Sequence, residues 1–572
     1  MKVRLLYPDR EWKYTGAYYD PESIIKDLGL SILFQVSSRS QEPKTGTVQH
    51  ADEADRHLGE MLKQVMMMPL ESEEEIYYRQ EILRDCMEYP EFMESLYEIS
   101  RDMTFRWEAL GKRQLDKPGS RDKSANLLSR IEILHLFVNT LARIRDLCRK
   151  YTGGASEILR PAGSEADAGG ALKAPERAGF LRSPGLTAFC RRLEEEFGEE
   201  REEQIREVLS DILFYCDGQE EYSLAGSGSK KESLPRMVLG CSLEERLKLG
   251  GIRLEEIATV TTKLRKRKGE MTLREKMTLS FSREPMLILK DVALLEDLEK
   301  LNEQITIYIM ESFRPLMDEL KGFFEELYTE TAFYQACSNL FTRCRHFHIR
   351  LCFPEAGSRE ELHFQDLMEF CMAVYRGQRP VGNDCDGDGK KLLIVTGANQ
   401  GGKSTFLRSI GIAQVLMQCG MPVCAEAFTS GIFPGLFTHF TRREDSAMNS
   451  GRLDEELGRV DGILRHLKDG SMVLLNESFA TTTEEEGSAI ADDVIRAMVE
   501  AGVKVLTVTH LLAFARKMYG RHLPEAAFLT AQRREDGVRT FKMIAGEPEL
   551  TSFGLDLYEE LIEKVLEKPS NL

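Results

Sequence analysis

Apolar residues between Ala51 and Tyr151 recur at spacings of three and four, as in Leu127, Leu128, Ile131, Leu134 and Val138, without strand-like alternation. That period lines up one face of a helix and predicts a helical region. A longer run extends from Asp291 to about Arg345, where Val292, Leu295, Leu298, Leu301, Ile305, Ile309, Phe313, Leu316, Leu320 and Phe323 keep the same spacing. It predicts one or two long helices packed on a partner, with Pro315 as the place for a kink. Two stretches break the pattern. Ala155 to Gly185 is rich in Ala, Gly and Pro, and Asp217 to Pro235 holds Gly, Ser and Lys230–Lys231, so both read as linkers or mobile loops. After Cys352 the texture changes. Short apolar runs (Leu392–Val395, Met472–Leu475, Val503–Val508) alternate with helical stretches, which predicts buried strands in an α/β domain. No internal repeat of fixed period is visible.

Composition adds limits. The 572 residues allow several domains, and 42% apolar with 30% charged residues is an ordinary globular balance. No apolar run is long enough for a membrane-spanning helix, and no secretory leader is visible at Met1 to Trp12, so a cytoplasmic, membrane-free setting is expected. The twelve cysteines are scattered without close pairing, which suits a reducing compartment. A net charge of −18 argues against coating nucleic acid non-specifically, so any DNA contact must be local.

The strongest chemical signal is Gly397-Ala-Asn399-Gln-Gly401-Gly402-Lys403-Ser404, a complete G-x-x-x-x-G-K-[ST] loop between a strand candidate and a helical pattern that starts at Thr405. Gly401 and Gly402 let backbone N–H groups approach phosphates, and the helix N-terminus adds positive potential. Lys403 then serves the β- and γ-phosphates of ATP, and the Ser404 hydroxyl serves Mg²⁺. A second strand, Met472 to Asn476, should bring carboxylates. Asn476 stands at the magnesium-organising position but is neutral, and Glu477 follows, placed to orient or deprotonate an attacking water. The plain alternative for Glu477 is an ordinary strand-end carboxylate. A third strand ends in Thr507-Val-Thr-His510, where the histidine can sense a γ-phosphate or simply cap the surface.

Thr396 to Thr405 resembles the ATPase loop of the MutS mismatch-repair family. The likeness continues through Val423–Glu426, Gly431–Phe440, Asn476–Gly487 and Gly546–Leu557 with its Ser552-Phe553-Gly554. Asp445 to Arg452 is similar to the family's signature, which implies that Ser450 and Gly451 touch the ATP of a second subunit. More loosely, Pro69–Leu70 and Arg79–Gln80 resemble the start of the family's core and lever, and Asp291 onward its return lever. The resemblance implies a mixed fold: an α-helical core and lever region followed by a C-terminal α/β P-loop ATPase domain of the ABC/MutS type. The implied parts are an N-terminal segment (1–50), a core and lever (51–350) with a reduced clamp near 217–290 and a mobile loop near 155–185, and the ATPase domain (355–572). The implied partners are DNA (duplex, mismatched or branched) and a second copy of the chain sharing composite ATP sites.

Other features are weighed against this reading. The family's mismatch reader is an N-terminal domain with a Phe-x-Glu wedge, and the stretch ahead of Ala51 is too short for it. Phe197-Gly198-Glu199 carries the tripeptide, but inside the acidic run Glu194–Glu203 it reads as a turn of a solvated acidic helix. Lys263, Arg265, Lys266, Arg267 and Lys268 form the best basic patch, either a phosphate contact or a solvated helix end. Asp384-Cys-Asp386-Gly-Asp388 opens like a calcium loop but has Val395 at the position of the bidentate Glu, so it reads as an acidic turn. Cys344, His346, His348 and Cys352 match no zinc spacing. The competing function is a nucleotide-switched protein- or ribosome-binding module. An ATPase subunit of a transporter fits less well, since hundreds of helical residues precede the loop.

Overall fold

The computed structural model describes residues 2–15, 18–38, 48–114, 123–153, 180–217, 292–441, 452–534 and 538–548. In chain order its elements are α1 (Pro21–Leu28), α2 (Ser31–Ser37), α3 (Val48–Met66), α4 (Glu73–Glu88), α5 (Pro90–Gln114), α6 (Lys123–Thr152), α7 (Pro184–Glu196), α8 (Glu199–Asp217) and α9 (Val292–His346). Next come β1 (Glu355–Gly357), β2 (Leu362–Leu367), α10 (Phe370–Arg376), β3 (Asn383–Asp386), β4 (Leu392–Gly397), α11 (Lys403–Met417), β5 (Ala427–Gly431) and β6 (Leu436–Phe440). The last are α12 (Arg452–His466), β7 (Met472–Asn476), α13 (Glu484–Glu500), β8 (Lys504–Val508), α14 (Leu512–Gly520), β9 (Ala526–Arg533) and β10 (Arg539–Ala545). The contacts divide the chain into two units. One holds Met1–Val3, Glu91–Arg182 and Leu186–Thr331, and the other Arg4–Pro90, Ser183–Gly185 and Ala332–Leu572. The described part is thus mixed helix and sheet.

The first unit is helical. Its core is aromatic: Phe137 of α6 stacks on Phe324 of α9 with centroids 5.4 Å apart, and Tyr97 of α5 stacks on Tyr328 at 5.6 Å. The long apolar period from Asp291 becomes the single element α9, with Pro315 inside it. The acidic run departs from its solvated reading. Glu194 is buried and accepts two bonds from Arg149, at 2.5 and 2.9 Å, and Arg145 pairs with Glu202 at 2.6 Å. Arg145 and Arg149 lie one helical turn apart on α6, so α7 and α8 turn their carboxylates toward them. Phe197 is 4% exposed, a core residue and no wedge.

The second unit is built on a six-stranded sheet in the order β10-β9-β4-β8-β7-β6, parallel except for β10. Strand β4 is buried along its whole length between β8 and β9, which explains its unbroken apolar run. Side-chain alternation sorts the helices onto two faces. Leu474 of β7 faces Gly411 on α11, whereas Val473 and Leu475 join the cluster of Val460, Ile463, Ile495, Phe514 and Met518 from α12, α13 and α14. A smaller sheet, ordered β1-β5-β2-β3, makes Asn383–Asp386 a strand paired with β2. The acidic turn expected there is confined to the residues after Asp386.

The N-terminal segment packs on this unit. Asp20 caps α1, accepting from the Ser23 amide at 3.0 Å. At the other end Asp27 accepts the Thr438 hydroxyl at 2.9 Å, and its carbonyl accepts Arg408 Nε of α11 at 2.9 Å. Arg79 of α4 is fully buried, bonding the carbonyls of Cys419 and Leu6 at 3.0 Å each. Among the described residues, no helix is long and apolar enough to cross a membrane.

Candidate functional site

Three parallel strands end side by side. Val395 of β4 and Asn476 of β7 are both in register with Val508 of β8, so the three loops leaving these strands emerge at one edge of the sheet. Backbone bonds continue past the strands: the Glu477 amide donates to Val508 O at 2.8 Å, and the Thr509 amide to Val395 O at 3.1 Å. This edge gathers the loop Gly397–Ser404, the pair Asn476–Glu477, and His510. Ligands of open α/β sheets bind beyond the carboxyl ends of the strands.

The loop needs its glycines. Gly397 has φ +109°, and a Cβ there would fall 2.8 Å from the Ala531 backbone nitrogen. Gly402, at φ +91°, caps α11 in left-handed backbone, where no side chain sits without strain. Asn399 and Thr405 are half-buried on either side of the turn, and Ser404 sits half-buried in the first turn of α11. The helix therefore directs its N-terminal amides and its positive end to the loop's concavity. Lys403 is 5% exposed and its Nζ donates to Gly397 O and Ala398 O, both at 2.9 Å. These two bonds hold the ammonium under the loop that its charge would serve.

On the neighbouring strand ends, Glu477 Oε1 lies 3.0 Å from His510 Nε2. That hydrogen bond holds the half-buried carboxyl below its ordinary range, outweighing desolvation, with the charges of His510 and Lys403 adding. Asn476 Oδ1 is buried and has no hydrogen-bond partner among the described residues. A buried acceptor without a donor is costly, and an oxygen in that state suits the hard, oxygen-seeking Mg²⁺ or its waters. The residues present therefore fit the metal.

Sequence reasoning missed two residues here. Phe541 of β10 is 47% exposed at φ 59° and lies against the loop, 3.4 Å from where a Gly402 Cβ would stand. Its backbone is gripped by Asn383, which donates to Phe541 O at 3.2 Å and accepts the Met543 amide at 2.7 Å. The only signal was an aromatic among polar neighbours. The other is Glu456 of α12, buried and bonded to the Phe479 amide at 2.6 Å. Its spacing to Val460 and Ile463 puts it on the inner helix face, a signal masked by the exposed Asp454 and Glu455.

Ser450 and Gly451, the basic residues Lys263 to Lys268, and Ser552-Phe553-Gly554 lie outside the described residues. Among the described residues, no three His, Cys, Asp or Glu side chains gather in a group able to hold a metal. His363 instead pairs with Asp388 at 2.9 Å.

Comparison with known proteins bears on the same region. A family model for MutS domain V matches residues 393–569, and a model for the MutS2 N-terminal domain matches residues 71–156. The DNA mismatch repair protein MutS of Thermotoga sp. (strain RQ2) is 29% identical over 171 residues, 29% of this chain and 21% of that protein. MutS protein homolog 4 of Mus musculus is 29% identical over 190 residues, covering 32% and 20%. Endonuclease MutS2 of Lacticaseibacillus casei (strain BL23) is 28% identical over 171 residues, covering 29% and 22%. The matched part of the chain spans about a fifth of the length of these curated relatives. The chain is thus similar to the MutS family over two stretches, resembling the MutS2 N-terminal domain at 71–156 and MutS domain V at 393–569.

Proposed function

We propose that the chain is an ATPase of the MutS kind that couples ATP binding and hydrolysis to clamping of mismatched, damaged or branched DNA, in mismatch repair or recombination. One observation carries the reading: a glycine-shaped phosphate loop and a hydrogen-bonded Glu477–His510 pair emerge from adjacent, in-register strands. The family matches at both regions, and the relatives named for mismatch repair, support it.

In this reading residues 355–572 are a P-loop ATPase domain of the ABC/MutS type, residues 51–350 the core and lever, and 1–50 a segment packed on the ATPase. Loop amides and Lys403 take the β- and γ-phosphates. Phe541 offers its exposed ring to the base. Bound Mg²⁺, held near Ser404 and Asn476, neutralises phosphate charge. Glu477 orients the attacking water and His510 keeps the carboxylate ionised and aimed, while reporting on the γ-phosphate. Ser450 and Gly451 complete the site of a second copy in a homodimer, and Lys263 to Lys268 contact DNA phosphates. The protein works in the cytoplasm, where its buried thiols stay reduced.

The test is ATP turnover without DNA, with perfect duplex, with a mismatch and with a branched junction, at controlled salt. Stimulation by at least one DNA is expected, and the most effective one names the substrate. Indifference to all of them would overturn the DNA reading in favour of a protein- or ribosome-binding switch.

A further inference from the structure

Glu477 and Phe479 both adopt left-handed backbone, at φ 55° and 64°. Neither is glycine, and such a conformation persists only where the surroundings over-determine it. The turn matters because it carries the carboxylate of the site. Thr441 Oγ1 donates to Glu477 O at 2.7 Å, and Ser478 Oγ meets His439 Nδ1 at 2.7 Å. Both reach the turn from β6 or its end. The third hold comes from a helix: Glu456 Oε1 accepts the Phe479 amide at 2.6 Å, and Oε2 accepts the Thr481 hydroxyl. Glu456 is 7% exposed, whereas Asp454 and Glu455 beside it face solvent. A carboxylate withdrawn from water is tolerated when its oxygens are bonded, and here two oxygens meet two donors of one turn.

We propose that Glu456 is a positioning residue, whose two hydrogen bonds hold the strained turn that aims Glu477 and tie that aim to the position of α12. The proposal rests on Glu477 being the residue that orients the attacking water. It makes α12, which begins at Arg452, the last residue of the stretch resembling the family's signature, a mechanical neighbour of the hydrolytic group. A shift of α12 reaches Glu477 through the turn.

Three full-length variants separate positioning from bulk stability. Glu456→Ala removes both bonds. Glu456→Asp keeps the charge and withdraws the oxygens by one methylene. Glu456→Gln keeps the length and an acceptor for the Phe479 amide, and its NH₂ can donate to the Thr481 hydroxyl. ATP affinity, single-turnover hydrolysis and amide hydrogen exchange across residues 477–482 are measured for each. Affinity should stay at the wild-type value throughout. Hydrolysis should fall about 100-fold in the Ala and Asp variants, the size of effect a misplaced group produces, and return toward wild type with Gln. Exchange should rise in step with the losses. Wild-type hydrolysis or unchanged exchange in the Ala and Asp variants overturns the proposal. So does an equal loss in all three, or loss of ATP binding together with hydrolysis. If the Ala variant does not fold, the Asp and Gln pair decides. If the wild-type chain binds ATP without hydrolysing it, the role given to Glu477 falls, and exchange alone still decides whether Glu456 holds the turn.

Discussion

Glu477 Oε1 and His510 Nε2 lie 3.0 Å apart, across the ends of two adjacent parallel strands. The register that aligns Asn476 with Val508 brings the pair together, so the bond is a consequence of sheet packing and not of a flexible loop. The bond keeps the Glu477 carboxyl below its ordinary range.

Replacing His510 by Ala should therefore let the Glu477 carboxyl climb back toward its ordinary range. Because that group is depressed in the folded chain, the stabilisation from the bond is full at neutral pH and is lost as pH falls through the lowered value. The acid limb of the turnover profile should move to higher pH in the variant, and turnover at neutral pH should drop about 100-fold. Nucleotide affinity should hold. A pH profile that superimposes on the wild type refutes the coupling.

Asn476→Asp places a formal charge where Oδ1 now lacks a donor. The Mg²⁺ concentration giving half-maximal turnover should fall about tenfold, equivalent to ~1.4 kcal/mol. A magnesium titration of both proteins checks this. An unchanged midpoint and unchanged turnover would show that position 476 lies outside the metal's shell.

Phe541→Ala should weaken ATP by about 1–3 kcal/mol, the range for losing a base–aromatic stack. Inorganic tripolyphosphate, which has no base, should bind both proteins alike. Calorimetry with the two ligands separates the outcomes. Equal losses for both would assign Phe541 to the loop's backbone and not to the base.

How much of this was legible in the sequence varied with the strength of the local pattern. Leu392–Val395 and Met472–Leu475 were readable as strands because β4 and β7 lie inside a parallel sheet and are apolar on both faces. The phosphate loop was readable because few backbones tolerate those glycines. The edge strand β10 and its neighbour β9 went unread, since Arg539–Ala545 and Ala526–Arg533 mix polar and apolar residues as half-exposed strands do. Asp384–Asp388 reads as an acidic turn, because nothing local reveals that β2 pairs with Asn383–Asp386. The acidic run at Glu194–Glu203 reads as solvated because the Arg145 and Arg149 that pair with it lie on a different helix. Phe541 and Glu456 were missed for the same reason: their roles come from long-range neighbours.

The central claim is that this pocket holds Mg·ATP and that Glu477 acts on it. The most direct measurement compares nucleotide retention and single-turnover hydrolysis in the wild-type chain, Glu477→Gln and Lys403→Ala. The account predicts that the wild type binds and hydrolyses, that Glu477→Gln binds equally well but fails to hydrolyse, and that Lys403→Ala binds neither ATP nor ADP. A wild-type chain that retains no nucleotide, or a Glu477→Gln chain that hydrolyses at the wild-type rate, would contradict it.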